Sequence, residues 1–580
     1  MLFRAFLFAC AVFAYGAAGC RKSVEPVAHG PHGGQLWFED ATGKLGVQFV
    51  HDPGTTGRFF FPESVGSGGA VFDYDNDGRL DIYLVQNGGP DSLSKNQLFH
   101  QKADGAFENV SAGSGLDIAG YGMGVACGDY DNDGLPDVLV TEYNRVRLFC
   151  NAGRGKFIDV TKGAEVENPA WAVSAAFFDY DRDGWLDLVV ANYVENNETQ
   201  RCYDRSGQLD YCGPSGFLDR VTTLFHNRGR DPAGRVRFED VTVKSGLGAE
   251  PGPGLGVTCA DFDDDKWPDI LVANDGKPNA LWMNQHDGTF KNEAVVRGVA
   301  YNNMGRAQAN MGIAIAETTG RGQFDIFITH LIEESHVLWK QDPPGAFLDQ
   351  TGAAGLTGSR WHGTGFGTAF ADFDNDGAPD LAVVNGGVRH PRVDDGRPKL
   401  VPALGPHWSR YVERNQLFAN DGTGKFRDVS AANPAFCEEY QVGRGLACGD
   451  IDNDGGVDLL VTAIAGPAKI FRNIAPRAAN WLSIRAIDPM LGGRDAYGAK
   501  ITVVAGARRR VAWVNPAFSY ASSSDPRAHF GLGAATHADT IHVLWPGGEE
   551  EGFPGAHGRQ LLVLKKGTGQ PAAGVPSAAP

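Results

Sequence analysis

The chain has 580 residues, with 52 Lys and Arg against 70 Asp and Glu, which gives a net charge of −18, and it contains 78 glycines. A strongly acidic total argues against a nucleic-acid partner, since phosphate binding requires a basic surface. Beyond residue 20 no apolar run reaches the roughly 18 residues that span a membrane. Glycine at nearly twice its average share of about 7% favours short strands and many turns over long helices.

The N terminus is predicted to be an export signal. One cation, Arg4, precedes an apolar stretch that ends in Ala17-Ala18-Gly19-Cys20. Small residues directly before a cysteine resemble a bacterial lipoprotein site, in which Cys20 becomes the lipidated first residue. Because Ala17 stands where that pattern prefers leucine, cleavage and release is an alternative. We expect a signal over 1–20, a flexible linker over 21–34, and an exported protein that is anchored facing the periplasm or cell exterior, or else secreted.

A repeated aspartate motif follows. Its first copy reads Asp73-Tyr-Asp75-Asn-Asp77-Gly-Arg79-Leu-Asp81, and an apolar run, 82–85, comes directly after it. Further copies begin at residues 129, 179, 261, 372 and 450, and a copy that has lost most of its carboxylates begins at Glu317. Spacings of 50 to 56 residues, with two longer ones of 82 and 78, predict stacked supersecondary units with two insertions.

A second motif marks the same units and predicts how they close. After each aspartate motif an apolar pair leads through a turn to Phe-x-Asp or a related sequence, as in Phe157-Ile-Asp159. The seventh unit has the first half of this pattern, 469–473, and the missing second half occurs at the other end of the chain, as Phe38-Glu39-Asp40. An offset of this kind closes a ring and removes the exposed edges of an open array. We therefore predict an all-β fold with a seven-bladed β-propeller over 35–475.

The aspartate motif has the composition of a calcium site. Carboxylates at positions one, three, five and nine, with a backbone carbonyl from position seven, form an oxygen cage of the kind that Ca²⁺ prefers, and glycine at position six permits the bend. An EF-hand is excluded because position twelve is apolar in every copy. Simple Asx turns are the alternative, but packed carboxylates without a cation would repel one another. Five to six calcium ions are predicted, on these ligands: Asp73, Asp75, Asp77, Arg79, Asp81; Asp129, Asp131, Asp133, Leu135, Asp137; Asp179, Asp181, Asp183, Trp185, Asp187; Asp261, Asp263, Asp265, Trp267, Asp269; Asp372, Asp374, Asp376, Ala378, Asp380; Asp450, Asp452, Asp454, Gly456, Asp458.

Two copies depart from the motif. In the copy at Asp261, Lys266 replaces the glycine, so we expect a weaker calcium site there. In the copy at Glu317, Arg321 stands between Glu317 and Asp325, and we hypothesise that its guanidinium replaces the ion as an internal counter-charge.

The cysteines are assigned by position. Cys202 and Cys212 flank a loop rich in Tyr, Gly and Asp, and we predict a local disulfide between them. Cys127, Cys259 and Cys448 each lie two residues before an aspartate motif, which indicates small buried strand residues. Cys150 and Cys437 are not assigned.

The C-terminal region is also predicted to be β. Alternating segments such as 481–486, 499–504 and 540–545 favour a small sandwich over 476–566, packed against or beside the propeller. Residues 567–580, rich in Gly, Pro and Ala, are expected to be a disordered tail.

These motifs carry a resemblance to known families. The Asp-x-Asp-x-Asp-Gly-x-x-Asp turns resemble the FG-GAP/VCBS repeats of the integrin α-subunit propeller. The segments 493–500, 519–527, 529–533 and 543–548 resemble the ASPIC/UnbV domain. The combination looks like the cartilage acidic protein 1 family, which has many exported bacterial members. The resemblance implies a calcium-loaded propeller joined to a β-rich module, often involved in extracellular binding.

Two functions are compatible with the sequence. The first is a cell-surface binding or adhesion scaffold for an extracellular or periplasmic protein or glycan, with insertions at 192–223 and 386–414 that carry Tyr193, Tyr203, Tyr211, Phe217, Trp408 and Tyr411 on one face. The second is a calcium-dependent enzyme with a pocket on the propeller axis or under the insertions. Its candidate groups are His362, His390, Asp394, Asp395, His407, Trp408 and Arg410. The sequence favours the scaffold, because no single unit has an obvious acid/base constellation.

Overall fold

The computed structural model describes residues 35–195, 199–391, 396–476 and 478–571. Within them, seven antiparallel sheets, each built on four strands, precede a domain of two further sheets. The all-β seven-bladed propeller is confirmed, and the first strand of the chain joins the last blade. The predicted signal, the linker and Cys20 lie outside the described residues.

Each blade is formed by strands that follow one another in the chain, apart from the last one. The strands of blade 7 include β1, Phe38–Asp40; blade 1 has β2 Gly69–Phe72, β3 Asp81–Leu84, β4 Gln97–Gln101 and β5 Phe107–Asn109; blade 2 has β6 Gly122–Gly128, β7 Asp137–Glu142, β8 Arg145–Asn151 and β9 Phe157–Asp159.

Blade 3 carries four extra short strands between its second and third strands. It has β10 Ala172–Phe178 and β11 Asp187–Asn192, then the inserted β12 Val194–Glu195, β13 Cys202–Tyr203, β14 Leu209–Asp210 and β15 Leu218–Asp219, then β16 Thr223–Arg230 and β17 Val236–Asp240. Blade 4 has β18 Gly254–Ala260, β19 Asp269–Lys277, β20 Ala280–Asn284 and β21 Phe290–Asn292, and β22 Gln308–Ala309 extends its sheet.

Blades 5 to 7 complete the ring. Blade 5 has β23 Ile313–Ala316, β24 Asp325–Ile328, β25 Val337–Gln341 and β26 Phe347–Asp349; blade 6 has β27 Gly365–Ala371, β28 Asp380–Asn385, β29 Gln416–Asn420 and β30 Phe426–Asp428; blade 7 has β31 Gly443–Gly449, β32 Asp458–Ala463, β33 Lys469–Asn473 and β1.

Helical segments are single turns. The α-helical ones are α1 Thr42–Leu45, α2 Ala294–Arg297, α3 Gly405–Trp408 and α4 Pro434–Cys437, and the 3-10 turns are Phe61–Ser64, Pro214–Gly216, Leu247–Ala249, Ser409–Tyr411, Ser430–Ala432 and Pro489–Leu491.

The second strands are buried over at least their first four residues, and apolar after their first aspartate for three residues or more, because neighbouring blades cover both of their faces. Every residue of β7, β11 and β32 is buried. A strand that is covered on both sides has no solvent face and so needs no polar alternation. This explains the short continuous apolar runs after each aspartate motif.

Strand β1 closes the ring. It pairs antiparallel with β33, with Phe38 opposite Asn473 and Asp40 opposite Phe471. The Phe38 side chain is fully buried, and its ring centroid lies 5.2 Å from that of Phe373 in blade 6. The closing strand therefore contributes an aromatic side chain to the core as well as backbone hydrogen bonds.

The C-terminal domain is a β-sandwich. One sheet contains β34 Asn480–Asp488, β35 Arg494–Asp495, β38 Ala528–Gly533 and β41 Gln560–Lys565; the other contains β36 Lys500–Ala505, β37 Arg508–Trp513, β39 His537–Leu544, β40 Glu550–His557 and β42 Gln570–Pro571. Because β42 pairs with β40, the predicted domain end at 566 is wrong and the paired residues extend to Pro571. Residues 572–580 lie outside the described residues.

The segment 514–527, which joins β37 to β38, runs along the propeller axis. We call it the axial segment. It makes hydrogen bonds with the first strand of every blade, through Val71, Val125, Ser174, Thr258, Ile313, Thr368 and Cys448. The sequence analysis placed this domain against or beside the propeller, whereas one of its loops lies inside the ring.

The other end of the axis is also filled. The Tyr520 hydroxyl donates a hydrogen bond to the Val65 carbonyl at 2.8 Å, and Tyr520 itself is fully buried. Val65 and Phe61 belong to the loop before β2 and pack into the same apolar cluster. Side chains from both ends of the chain thus meet on the axis.

Candidate metal centres

The six aspartate motifs all form the turn between the first and second strands of a blade. The position-one carboxylate accepts the amide of position six, as in Asp73 Oδ2 with Gly78 N at 2.9 Å. The position-five carboxylate accepts the amide of position seven at 2.8–3.0 Å in every copy. These bonds fold the turn so that its carboxylates point inward.

Backbone conformation explains the residues between the carboxylates. Position six has a positive φ in all copies, including 76° at Lys266, where glycine is replaced. Position four is also left-handed, with φ between 55° and 65°, and is usually Asn or Asp. These residue types tolerate that conformation better than others do. The sequence analysis identified the glycine but missed this second requirement.

The position-nine aspartate ties the turn to the rest of its blade. One Asp81 oxygen accepts the amide of Tyr74 at 3.3 Å and the other accepts that of Gln101 on β4 at 2.8 Å. The same two bonds recur in the other five copies. This aspartate is 0–2% exposed in all six copies. Such burial holds its carboxylate in one orientation.

Several of the carboxylate oxygens have no hydrogen-bond partner among the described residues. They belong to Asp75, Asp131, Asp179 and Asp263, and each is enclosed by protein. The ligand atoms of Asp129, Asp131 and Asp137 lie within 4.8 Å of one another, as do those of Asp73, Asp75 and Asp77 and those of Asp179, Asp181 and Asp183. Because a buried carboxylate without a partner is unfavourable, these oxygens fit a cation bound between them.

The electrostatics support the same conclusion. Burial, and then the neighbouring carboxylates, raise the pKa of Asp81 and of Asp187 to about 8. The pKa of Asp129 is raised to about 7, again chiefly by burial. Four to five carboxyl groups in one turn can all ionise at neutral pH only if a positive charge offsets their repulsion.

One position on the third strand sets the local charge of each turn. In blades 1 to 7 it is occupied by His100, Cys150, His226, Met283, Lys340, Ala419 and Arg472. His226 Nδ1 lies 3.0 Å from Asp187 Oδ1, and the hydrogen bond between them raises the pKa of His226. Arg472 forms ion pairs with Asp452 and Asp454. Blades 2, 4 and 6 place an uncharged Cys, Met or Ala side chain there.

Blade 5 uses protein cations where the other blades have clustered carboxylates. Burial raises the pKa of Asp325 to about 6, and Lys340 and Arg321 oppose that shift. The Arg321 side chain donates to Thr319 Oγ1 at 3.0 Å and to the Gln341 carbonyl at 3.3 Å. The sequence analysis proposed Arg321 as the counter-charge. Lys340 shares that role and was missed because it lies on another strand.

Blade 4 shows what the lysine at the glycine position does. Lys266 Nζ lies 2.8 Å from Glu550 Oε1 in the C-terminal domain. In the same turn, the Arg297 guanidinium lies 2.8 Å from Asp263 Oδ2. A side chain at position six thus bridges two domains, and a protein cation already faces one ligand of this turn.

The two insertions meet on the face opposite the aspartate turns. The Tyr411 hydroxyl donates to Asp210 Oδ1 at 2.8 Å, and His390 Nδ1 lies 2.9 Å from Asp204 Oδ2. The Sγ atoms of Cys202 and Cys212 are bonded to each other within the first insertion. These contacts join insertion 192–223 to insertion 386–414.

The aromatic residues expected to form a recognition surface are mostly internal. Tyr193, Tyr211, Trp408 and Tyr411 are at most 4% exposed, whereas Tyr203 is 61% exposed. They are buried because the insertions pack on each other and on the loop before β2. The sequence analysis, which treated the insertions as exposed loops, was wrong on this point.

The candidate catalytic groups are only partly brought together. The Tyr211 hydroxyl lies 3.0 Å from both Glu63 Oε2 and His407 Nε2, and Arg410 lies 3.3 Å from His390 Nε2. His362 lies elsewhere, against Trp361 and Arg414. Asp394 and Asp395 lie outside the described residues. Glu63 was not identified from the sequence, because it comes from a loop far away in the chain.

Comparison with known proteins defines the class of protein first. Residues 73–140, 129–190 and 261–328 match the FG-GAP-like repeat, and residues 491–571 match the ASPIC and UnbV family. This is an FG-GAP-repeat β-propeller with a C-terminal ASPIC/UnbV domain. Within that class, the combination of these repeats with this C-terminal domain supports a relation to the cartilage acidic protein 1-like family.

Three relatives support this assignment. Cartilage acidic protein 1 of Mus musculus is 25% identical over 403 residues (61% of this chain, 60% of the relative), that of Xenopus tropicalis 25% over 518 (84% and 71%), and that of Homo sapiens 24% over 424 (64% and 61%). The chain thus spans between three fifths and three quarters of the length of these relatives. Among solved structures it is similar to an Agrocybe aegerita lectin, with a TM-score of 0.37, 14% identity and coverage of 65% of this chain and 84% of that one.

The family relation indicates an exported, integrin-α-like β-propeller scaffold. In the part of the chain that the structure describes, no helix is long and apolar enough to cross a membrane.

Proposed function

We propose that the protein is an exported calcium-binding β-propeller that serves as a surface scaffold for a protein or glycan partner. Calcium binding is supported by one observation above all: in four of the turns, buried carboxylate oxygens have no hydrogen-bond partner among the described residues. A hard cation bound by oxygen would satisfy them. The position-seven carbonyls are the additional ligands that we predict.

Ca²⁺ suits these turns better than Mg²⁺ does. Ca²⁺ accepts six to eight oxygens in flexible geometry, whereas Mg²⁺ needs a near-octahedral shell and retains water. Four carboxylates and one carbonyl per turn supply many oxygens at once. Six divalent ions would also neutralise twelve of the eighteen net negative charges, since 6 × 2 = 12.

The six turns are not expected to bind equally. Blade 6 keeps all four aspartates and has Ala419 at the third-strand position, so it is our strongest candidate. The turns of blades 4 and 7 are weaker candidates, because Arg297 and Arg472 already pair with Asp263 and Asp452.

We favour a scaffold role over an enzymatic one because the propeller axis is filled by parts of the chain itself. An axial active site needs an open channel, and the axial segment and the loop before β2 occupy that space. Under the insertions, the hydroxyl of Tyr411 and the imidazole of His390 are each engaged by an aspartate of the other insertion. We infer that these polar groups clamp the two insertions together.

Export and anchoring are part of the proposal. The sequence at Ala17–Cys20 supports lipidation at Cys20, with release after cleavage as the alternative. Fractionation of cells that express either the wild type or Cys20→Ala distinguishes lipid anchoring from release. Anchoring predicts a membrane-bound wild type and a variant that is lost from the membrane fraction.

Metal analysis tests the calcium proposal. We expect mass spectrometry of the purified, dialysed protein to find five to six calcium ions per chain. A pull-down from the exported fraction with and without a calcium chelator then tests the scaffold role. Partners retained only with calcium support it, and a protein that holds no divalent metal contradicts the proposal.

A further inference from the structure

A separate pocket lies on the insertion face of the propeller, between blades 5, 6 and 7. It has a volume of about 250 Å³ and is lined by Ile332, Trp361, His362, Val412, Arg414 and Tyr440, among others. These residues come from loops on the side of the ring away from the aspartate turns. The pocket therefore shares no residue with the metal centres.

Trp361 forms a fixed wall of this pocket. Its indole Nε1 donates to the Asn415 carbonyl at 3.1 Å. Its own carbonyl accepts hydrogen bonds from Ser359 Oγ and Gln416 Nε2, each at 2.9 Å. One bond thus holds the indole ring and two hold the backbone that carries it, so the ring keeps its orientation without a ligand.

Arg414 is held against this wall by stacking. Its guanidinium carbon lies 4.0 Å from the Trp361 ring centroid and 5.2 Å from that of Tyr440. Stacking on aromatic faces leaves the N–H groups at the edge of the guanidinium plane free to bind an anion. Among the described residues, this guanidinium has neither a hydrogen bond nor an ion pair. The arginine is thus oriented but not neutralised.

The surroundings of Arg414 make the pocket locally positive. Arg360 lies over the same Trp361 ring, with its guanidinium carbon 5.8 Å from the centroid. The nearby acid, Glu413, is 4% exposed, accepts the Thr364 amide at 2.5 Å and faces Arg397 at 3.5 Å. In the part of the chain that the structure describes, neither guanidinium forms an ion pair, and from Arg360 the carboxylate of Asp428 accepts only the backbone amide, at 2.7 Å.

We propose that this pocket binds the carboxylate of an acidic sugar residue, with Arg414 as the group that recognises it. The planar guanidinium edge matches a carboxylate with two parallel hydrogen bonds. The partly exposed side chain of Ile332 offers an apolar contact for the carbon face of a sugar ring. The Tyr440 hydroxyl, which has no hydrogen-bond partner among the described residues, is available for a sugar hydroxyl.

This inference deepens the proposed scaffold function, on which it rests, by naming the chemistry of the partner. A volume of about 250 Å³ lies just below the roughly 300–1,000 Å³ of sites for drug-sized ligands. It therefore suits one terminal residue of a glycan.

Calorimetric titration of the calcium-loaded protein with methyl glucuronide tests the proposal. We expect saturable binding, with methyl glucoside, which lacks the carboxylate, at least tenfold weaker. N-acetylaspartate supplies the same carboxylate from a peptide source and is also expected to bind at least tenfold more weakly. Equal binding of the glucoside, or tighter binding of N-acetylaspartate, would overturn the assignment.

Variants show whether Arg414 is responsible. Arg414→Gln should weaken glucuronide binding at least tenfold, and Arg414→Lys should not restore it, because a lysine lacks the planar fork. Arg228→Gln, on the exposed surface of blade 3 with a side chain 58% accessible, is the matched control and should bind normally. Unchanged binding by Arg414→Gln would contradict the proposal.

The same preparations separate this inference from the calcium proposal. Metal content and melting temperature are measured on each titrated sample, which also shows whether the Arg414 variants fold. A protein that holds its calcium but does not bind glucuronide refutes the pocket alone. A protein without calcium refutes the metal proposal, whatever it binds.

Discussion

The main chains of Ser519 and Ile313 exchange two hydrogen bonds, from Ser519 N to Ile313 O at 2.6 Å and from Ile313 N to Ser519 O at 3.0 Å. Ser519 lies in the axial segment and Ile313 opens the first strand of blade 5. A loop of the C-terminal domain thus pairs with the propeller as a strand would. We infer that the two domains form one cooperative folding unit, because neither can open without breaking these bonds.

A substitution at Gly68, which lies against the axial segment, tests the packing of that segment inside the propeller. A Cβ atom at Gly68 would lie 2.2 Å from the Ala521 carbonyl oxygen and 2.6 Å from the Gly124 Cα. Both contacts are with backbone, which cannot rotate away. We expect Gly68→Ala to lower the free energy of unfolding by about 1–3 kcal/mol, the usual cost of overpacking.

Denaturant unfolding measures this cost, and Gly352→Ala is the control. A Cβ at Gly352 would meet no atom within 4 Å. The control should stay within about 0.5 kcal/mol of the wild type, as most surface substitutions do. Equal stability of the two variants would mean that the axial segment does not lie where the structure has it.

Ring closure by β1 makes a second prediction. Phe38 is fully buried between blades 6 and 7, and Phe436 lies 5.9 Å from it, ring to ring. Truncation of a buried Phe typically costs about 3–5 kcal/mol, so Phe38→Ala should destabilise the protein by that amount.

Thermal and denaturant unfolding of Phe38→Ala and Glu39→Ala check ring closure. Glu39 lies on the same strand, opposite Arg472, and is only partly buried. If Glu39→Ala proves as destabilising as Phe38→Ala, side-chain burial by β1 does not close the ring.

The fold could be predicted from the sequence because its signals are local and repeated. Asp73 to Asp81 is one turn, and its recurrence fixes the number of blades without any tertiary information. The circular offset that pairs Phe38 with the seventh unit is likewise visible in the spacing. Because the motifs recur along the chain, the sequence predicts both the number of blades and the closure of the ring, which one copy of a motif would not.

The features that the sequence did not predict depend on contacts between residues that are distant in the chain. Nothing local to Ser519 shows that it pairs with Ile313, since the two are brought together only by the closed ring. Lys340 reaches the decayed turn of blade 5 from another strand, which spacing does not reveal. The aromatic side chains Tyr211 and Trp408 suggested an exposed face, but the two insertions bury them against each other.

Metal content provides the third prediction. Asp380 in blade 6 and Asp325 in blade 5 occupy the same position nine, and both are buried. Only Asp380 has three further aspartates in its turn. We expect Asp380→Asn to lower the calcium content by one ion per chain, and Asp325→Asn to leave it unchanged.

The melting temperatures of the wild type and both variants are measured together with their calcium content. Each bound ion stabilises the folded state by about 2.7 kcal/mol when its concentration is a hundred times the Kd, so a chelator should lower the melting temperature of the wild type. The drop should be smaller for Asp380→Asn, which has one site fewer. Loss of an ion from Asp325→Asn would show that blade 5 binds metal after all.

A last prediction concerns acid stability. Burial lowers the pKa of His51 to about 3, and that of His336 to about 4, well below the reference value of 6.5. Between those folded values and pH 6.5, the unfolded chain binds protons that the folded chain does not. The free energy of unfolding therefore falls as the pH drops below 6.5, by up to about 1.4 kcal/mol per pH unit for each histidine.

His51→Gln removes one of these protons while keeping a polar side chain at the site, where His51 Nδ1 accepts the Ala465 amide at 3.4 Å. Measured between pH 6.5 and 4.5 at one calcium concentration, the stability of this variant should fall less steeply with acid than that of the wild type. His537→Gln, with a side chain 58% exposed, is the control and should keep the wild-type slope. Identical slopes for all three proteins would mean that the pKa of His51 is not lowered in the folded state.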